Sequence, residues 1–168
     1  MTRSVYYASA SLDGFDAAQW QQSGGEVPAN TGAVVMGAGT YAQLRRQVDE
    51  GGTAAWDCPP GPVWVYTHHE FPGVEGADIM FVRGPVTEFA ADIAASAGDG
   101  DIWLRGADLA AQYLQHRLLD ELHLTLHPVL LGHGRRVLPA DAVLPAQLQS
   151  SRPAADGSVL LSYGFSAG

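Results

Sequence analysis

The sequence predicts an α/β fold: a mixed, mostly parallel sheet of about eight strands, covered by helices and closed by a C-terminal antiparallel hairpin. Three observations predict it. Short apolar, β-rich runs alternate with stretches of helical period through the N-terminal part of the chain; strand passes straight into helix at "VVMGAGTYAQL" and "IWLRGADLAAQYL"; and the C-terminal part carries extended segments around an Asp-Gly turn. The 168 residues suit one domain, 1–168, with a hydrophobic core.

The elements follow in order. "SVYYASASL" (4–12) is a strand, and "GAVVMG" (32–37) a short buried one. "TYAQLRRQVDE" (40–50) is a helix that begins near Thr40, and "GGTAAWDCPPGP" (51–62), bounded by Gly and Pro, is a loop. "VWVYT" (63–67) and "DIMFV" (78–82) are strands; "PVTEFAADIAASAG" (85–98) is a helix with proline in its first turn and a glycine cap. "DIWLRG" (101–106) runs into a helix over 107–118, where Leu109, Tyr113, Leu114 and Leu118 recur at helical spacing. "DELHLTLHPVLL" (120–131) changes to period two, with Leu122, Leu124 and Leu126 on one face and His123, Thr125 and His127 on the other. "VLPAQLQSS" (143–151) and "SVLLSYGF" (158–165) flank Asp156-Gly157 and should pair antiparallel.

Composition narrows the function. With 46% apolar and 16% charged residues the chain is globular, and no apolar run approaches the ~20 residues of a membrane span. The N-terminus goes directly into an alternating pattern without a secretory leader's apolar core, so a soluble, cytoplasmic protein is expected. A net charge of −9, with no basic run longer than Arg45-Arg46 or Arg135-Arg136, opposes extended nucleic-acid binding but permits a small phosphorylated ligand. Cys58 is the only cysteine, which excludes an intrachain disulfide and a cysteine zinc cluster.

"GAGTYA" (37–42) satisfies Gly-x-Gly-x-x-Ala between a strand and a helix, the context of a dinucleotide turn. A Rossmann unit also needs a second strand ending in an acid about 20 residues on. The next strand instead ends in Thr67-His68-His69, and Asp57 lies in the loop. The alternative is a nucleotide shared among several strand ends, each offering backbone N–H groups at a helix start. Three such ends are present: Gly37-Ala38-Gly39-Thr40, Thr67-His68 and Arg105-Gly106-Ala107-Asp108.

With "SLDG" (11–14), "VVMGAGTY" (34–41), "DIWLRGADLAAQYL" (101–114), "LLDELHLTLHPVLLGHGRRVL" (118–138) and the closing "GSVLLSYGF", the chain resembles the dihydrofolate-reductase-like superfamily. Within it, the resemblance is to the reductase domain at the C-terminal end of riboflavin-biosynthesis deaminase-reductases and to its stand-alone relatives. It implies a three-layer α/β/α sandwich on an eight-stranded sheet, NADPH as hydride donor, a small-molecule substrate and a homodimer. By position, Gly37 and Thr40 would meet the cofactor phosphates, Thr67 and His68 the adenosine end, and Gly106, Ala107 and Asp108 the pyrophosphate. Ala8 and Asp13 would border the nicotinamide and substrate; Asp13 either positions substrate or delivers a proton, or simply forms its Asp-Gly turn.

Three departures stand out. The family's Gly-Arg-x-Thr is Gly37-Ala38-Gly39-Thr40 here, without the arginine that grips the 2′-phosphate. Arg105 replaces a glycine, and either crowds the pyrophosphate or supplies a charge contact in place of the missing one. The connection "DAAQWQQSGGEVPANT" is shorter than the substrate-facing helix of relatives, with Trp20 or Glu26 to replace that wall and core or loop packing as the alternative for the tryptophan.

Other chemistries fit less well. His123 and His127 on a strand stand ~13 Å apart, too far to share an ion. Arg135 and Arg136 follow a Gly-His-Gly turn and read as surface charges, or as contacts to a substrate phosphate. The expectation is an NADPH-type oxidoreductase acting on a small heterocyclic or imine-like substrate. The alternatives are a member that keeps the fold without turnover and a Rossmann enzyme with a fully parallel sheet.

Overall fold

A computed structural model describes residues 1–20 and 28–165. Its strands are β1 (Ser4–Ala10), β2 (Thr31–Gly37), β3 (Pro62–Tyr66), β4 (Asp78–Val82), β5 (Asp101–Arg105), β6 (Glu121–Leu126), β7 (Gln147–Pro153) and β8 (Val159–Gly164). The helices are α1 (Ala38–Gly51), α2 (Val86–Ala97) and α3 (Ala107–Gln115), with 3₁₀ turns at Ala18–Trp20 and Thr53–Ala55. All eight strands form one sheet in the order β4-β3-β2-β5-β1-β6-β8-β7. Neighbours from β4 to β6 run parallel, whereas β6–β8 and β8–β7 are antiparallel. The mixed sheet removes the Rossmann alternative.

Side-chain alternation divides the core between the two faces of the sheet. On one face Tyr6, Ala33, Val35, Trp64, Ile102 and Leu104 pack against Val86, Ile93 and Ala97 of α2 and Leu109, Ala110, Tyr113 and Leu114 of α3. On the other, Val34, Met36, Val63, Val65 and Trp103 pack against Tyr41 and Leu44 of α1. Burying each large apolar side chain contributes ~1.5–3 kcal/mol relative to exposure. The sequence dictates this division: α2 and α3 present apolar residues three and four apart, and buried β2 is apolar on both faces. Close approach matters at one junction. Gly32 and Gly100 lie back to back, and a Cβ on Gly32 would stand 2.0 Å from the Ala97 carbonyl oxygen.

Several predicted bounds shift; α1 begins at Ala38 rather than near Thr40, and α3 ends at Gln115 rather than 118. β1 ends at Ala10 because Ser11 enters a turn, accepting at Oγ from the Phe15 N–H. β6 ends at Leu126: the His127 N–H still donates to Ala10, but Pro128 has no N–H with which to continue. β7 starts at Gln147, past Pro145. The 51–62 loop contains a 3₁₀ turn. Trp20 is not a core residue; it is 50% exposed in its 3₁₀ turn. Glu26 lies outside the described residues.

Candidate active site

Parallel strands deliver their carboxyl ends to one edge of a sheet, where ligands of open α/β folds bind. Here β2 ends at Gly37, β3 at Tyr66 and β5 at Arg105, and each leads into one of the three predicted turns. The turns converge. Gly37, Ala38, Gly39, Thr40, Thr67, His68, Gly106, Ala107 and Asp108 all line one hollow of about 530 Å³. A second hollow, about 770 Å³, extends across β5, β1 and β6 and includes Ala8, Arg105, Gly106 and Ala107. Thr40, Gln43, Gly106, Ala107 and Arg135 belong to both, so the two form one continuous cleft.

Local chemistry makes the first hollow receptive to an anion. Neither Gly37 before α1 nor Gly106 before α3 caps its helix with a side chain, so first-turn N–H groups face the cleft. Gly106 has φ 111°, which disfavours an L side chain, and a Cβ there would meet Thr40 Oγ1 at 3.0 Å. Only glycine lets α1 and α3 open so close together. Asp108, in the first turn of α3, is paired with Arg135 at 2.7 Å, which offsets the one carboxylate lining this hollow.

Thr67 is buried, and its hydroxyl is taken up internally: it donates to the His69 carbonyl at 3.0 Å and accepts from the His69 N–H at 2.9 Å. Its contribution is to shape the turn carrying His68 and His69. Arg105 lines the larger hollow with Gly106 and Ala107 and is engaged by partners within the protein. Its guanidinium lies over the Trp103 ring and donates to the Asp57 carbonyl at 2.5 Å.

Asp13 is absent from the lining of both hollows. Its carboxylate accepts from Ser11 Oγ at 2.5 Å, the Gly132 N–H at 2.7 Å and the Leu131 N–H at 3.1 Å, clamping the turn after β1 to the 131–132 segment. The Ser11 bond first, then the two amides, lower its pKa to about 2. A group ionised to that degree at neutral pH has no proton to deliver, so the geometry favours the turn-forming alternative. Tyr6 is no better suited: burial raises its pKa, and its hydroxyl donates to the Val137 carbonyl at 3.2 Å.

Several cleft residues escaped the sequence reading. Tyr7 and His123 stack with centroids 4.5 Å apart and an interplanar angle of 7° on the larger hollow, and His123 Nε2 lies 3.1 Å from Glu121. Their alternation placed them on one face; nothing signalled that β1 and β6 are neighbours. Arg135, read first as a surface charge, sits at the junction of the hollows because a long connection folds back over the strand ends. Gln43 and Arg83 also line the cleft without a motif to mark them.

The family model for the RibD C-terminal domain matches residues 61–160, more than half of the chain. The chain belongs to the RibD C-terminal domain family. The matched span begins just before β3 and contains two of the three converging turns. No curated protein matches the chain by sequence. Solved structures sharing the fold include a Shewanella sp. PV-4 protein provisionally assigned to riboflavin biosynthesis, with 20% identity and TM-score 0.75 over 99% of this chain and 100% of that one. Another is a Thermotoga maritima diaminohydroxyphosphoribosylaminopyrimidine deaminase/5-amino-6-(5-phosphoribosylamino)uracil reductase, at 13% identity and TM-score 0.68, covering 98% of this chain and 57% of that one. An Enterococcus faecalis dihydrofolate reductase complexed with NADP(H) follows at 11% identity and TM-score 0.60, covering 98% and 97% of the two chains. The RibD C-terminal domain assignment and these likenesses agree on the dihydrofolate-reductase-like α/β/α architecture.

Proposed function

We propose that this RibD C-terminal domain protein is an NADPH-dependent reductase that transfers hydride to a small heterocyclic or imine-like acceptor. One observation carries the reading: three turns separated by tens of residues in sequence line a single hollow, and that hollow opens into a larger one beside β1. The residues present fit a dinucleotide. Gly37 and Thr40 at the start of α1, and Gly106 and Ala107 before α3, would hold its phosphates through N–H groups, and the Thr67–His68 turn would border the adenosine. Ala8 would flank the nicotinamide. NADPH when bound supplies the hydride; the protein supplies orientation and exclusion of water.

The acceptor would lie in the larger hollow, whose lining includes Tyr7, Trp103 and His123. Stacked Tyr7 and His123 offer a flat, polar-edged platform that suits a planar heterocycle. A protein that shares the fold, the Enterococcus faecalis dihydrofolate reductase, is complexed with NADP(H), which supports the choice of donor.

Trp103 lines the cleft, so tryptophan fluorescence reports on its occupancy. Titration with NADPH should quench emission and saturate in the micromolar range. An unchanged spectrum with no calorimetric heat up to millimolar NADPH would overturn the cofactor reading and favour a protein that keeps the fold without turnover.

A further inference from the structure

Position 38, where the resemblance implies an arginine for the 2′-phosphate, holds Ala38, so a chain that prefers NADPH must find that positive charge elsewhere. The search is short. Among the residues lining the smaller hollow, the guanidinium groups are those of Arg83 and Arg135. Arg135 is already paired with Asp108 beside α3. Arg83 makes no ion pair among the described residues; its Nη2 donates to the His68 carbonyl at 2.7 Å. That single bond to a backbone oxygen holds the group in place while leaving its charge and most of its five N–H donors unspent.

Topology puts Arg83 at the correct end. It directly follows β4, and the strand order from there to the β1 of Ala8 is β4-β3-β2-β5-β1. Four inter-strand steps span about 19 Å along the carboxyl edge. A dinucleotide extended along that edge with its nicotinamide at Ala8 therefore brings its adenosine to β3 and β4. There Arg83, Ala38 and the Thr67–His69 turn line the same hollow.

Resting on the cofactor reading above, we propose that Arg83 selects the 2′-phosphorylated coenzyme, replacing from the end of β4 the arginine absent at position 38. The Thr67 hydroxyl bonds fix the turn, the turn's His68 carbonyl fixes the guanidinium, and the guanidinium meets the phosphate. Arg135 has a separate role at the junction of the hollows, common to phosphorylated and unphosphorylated coenzymes.

Isothermal titration calorimetry of the full chain with NADP⁺ and NAD⁺ tests the assignment without relying on turnover. The wild type should bind NADP⁺ at least about tenfold more tightly, as a charge-assisted phosphate contact supplies. R83Q should bring the two affinities together by weakening NADP⁺ while NAD⁺ stays unchanged, and R83K should restore part of the difference. R135Q should weaken both ligands and keep their ratio. If the wild type binds both equally, or R83Q keeps the wild-type ratio, Arg83 has no such role although the cofactor reading stands. If neither ligand binds, the cofactor reading fails and takes this assignment with it.

Discussion

The guanidinium of Arg105 lies 4.7 Å from the centroid of the Trp103 ring, two residues earlier on the same face of β5. Because it also donates to the Asp57 carbonyl, it binds the 51–62 loop to the sheet. A cation–π contact of ~0.5–1 kcal/mol, the bond to the Asp57 carbonyl and a solvated ion pair with the Asp57 carboxylate at 3.5 Å give a loss of ~1–2 kcal/mol for Arg105→Ala. Chemical denaturation should show that loss, and NADPH affinity should stay unchanged. A collapse of affinity at full stability would assign Arg105 to the pyrophosphate instead.

The same loop carries Cys58. Burial raises its thiol pKa, with Arg105 acting in the opposite direction. The thiol should therefore react slowly with a disulfide reagent at pH 7–8, and faster in denaturant, where the ordinary value returns. Rapid labelling of the native protein contradicts the described burial.

Gly106→Ala should damage the cleft more than the fold. The new methyl would force a φ near 111° on an L residue and press on Thr40 Oγ1 at 3.0 Å. A stability cost of ~1–2 kcal/mol follows from the backbone. NADPH affinity should fall at least about tenfold, because a 1 Å displacement at a binding turn is costly. Unaltered binding would separate the α1–α3 gap from the cofactor.

Gly32→Ala should do the reverse. Gly32 has an ordinary backbone conformation, so the obstacle is space alone: the methyl would stand 2.0 Å from the Ala97 carbonyl oxygen. β2 and the end of α2 must then separate, costing ~2–3 kcal/mol. Thermal unfolding should shift down markedly. A variant as stable as the wild type would show that this junction yields freely.

The clamp around Asp13 makes a pH prediction. Its folded pKa of about 2 lies below the ordinary 3.8, so the clamp is stabilising above about 3.8 and is lost as pH falls through about 2. The Leu131 and Gly132 amide resonances should titrate with a midpoint near the lower value. Asp13→Ala should speed hydrogen exchange at those amides and leave the pH profile of hydride transfer in place. A displaced profile would return Asp13 to the chemistry.

Element type was legible because period and punctuation agreed. Pro85 and Gly98 bracket α2 in sequence and in space, and Asp156-Gly157 turns the hairpin between β7 and β8. The three turns stand out in the sequence because each joins a strand to glycine or threonine at a helix or loop start, and they line one hollow. What stayed hidden depends on spatial order. No local pattern says that β1 lies between β5 and β6, so the Tyr7–His123 stack is invisible in the chain. Asp13 keeps two readings in the sequence for a related reason: its partners at 131 and 132 lie more than a hundred residues away, and an Asp-Gly beside a predicted cleft looks the same whether it faces substrate or a neighbouring loop.

The two faces of β1 carry different burdens. Tyr6 belongs to the core beneath α2 and α3, whereas Tyr7 stacks on its cross-strand neighbour His123 and packs against the core that α1 covers. Substitutions at His123 would consequently remodel the lining of the larger hollow with less disturbance of the core than substitutions at Tyr7, which packs on it. The contour of the hollow and the strength of the core are coupled at Tyr7 and separable at His123.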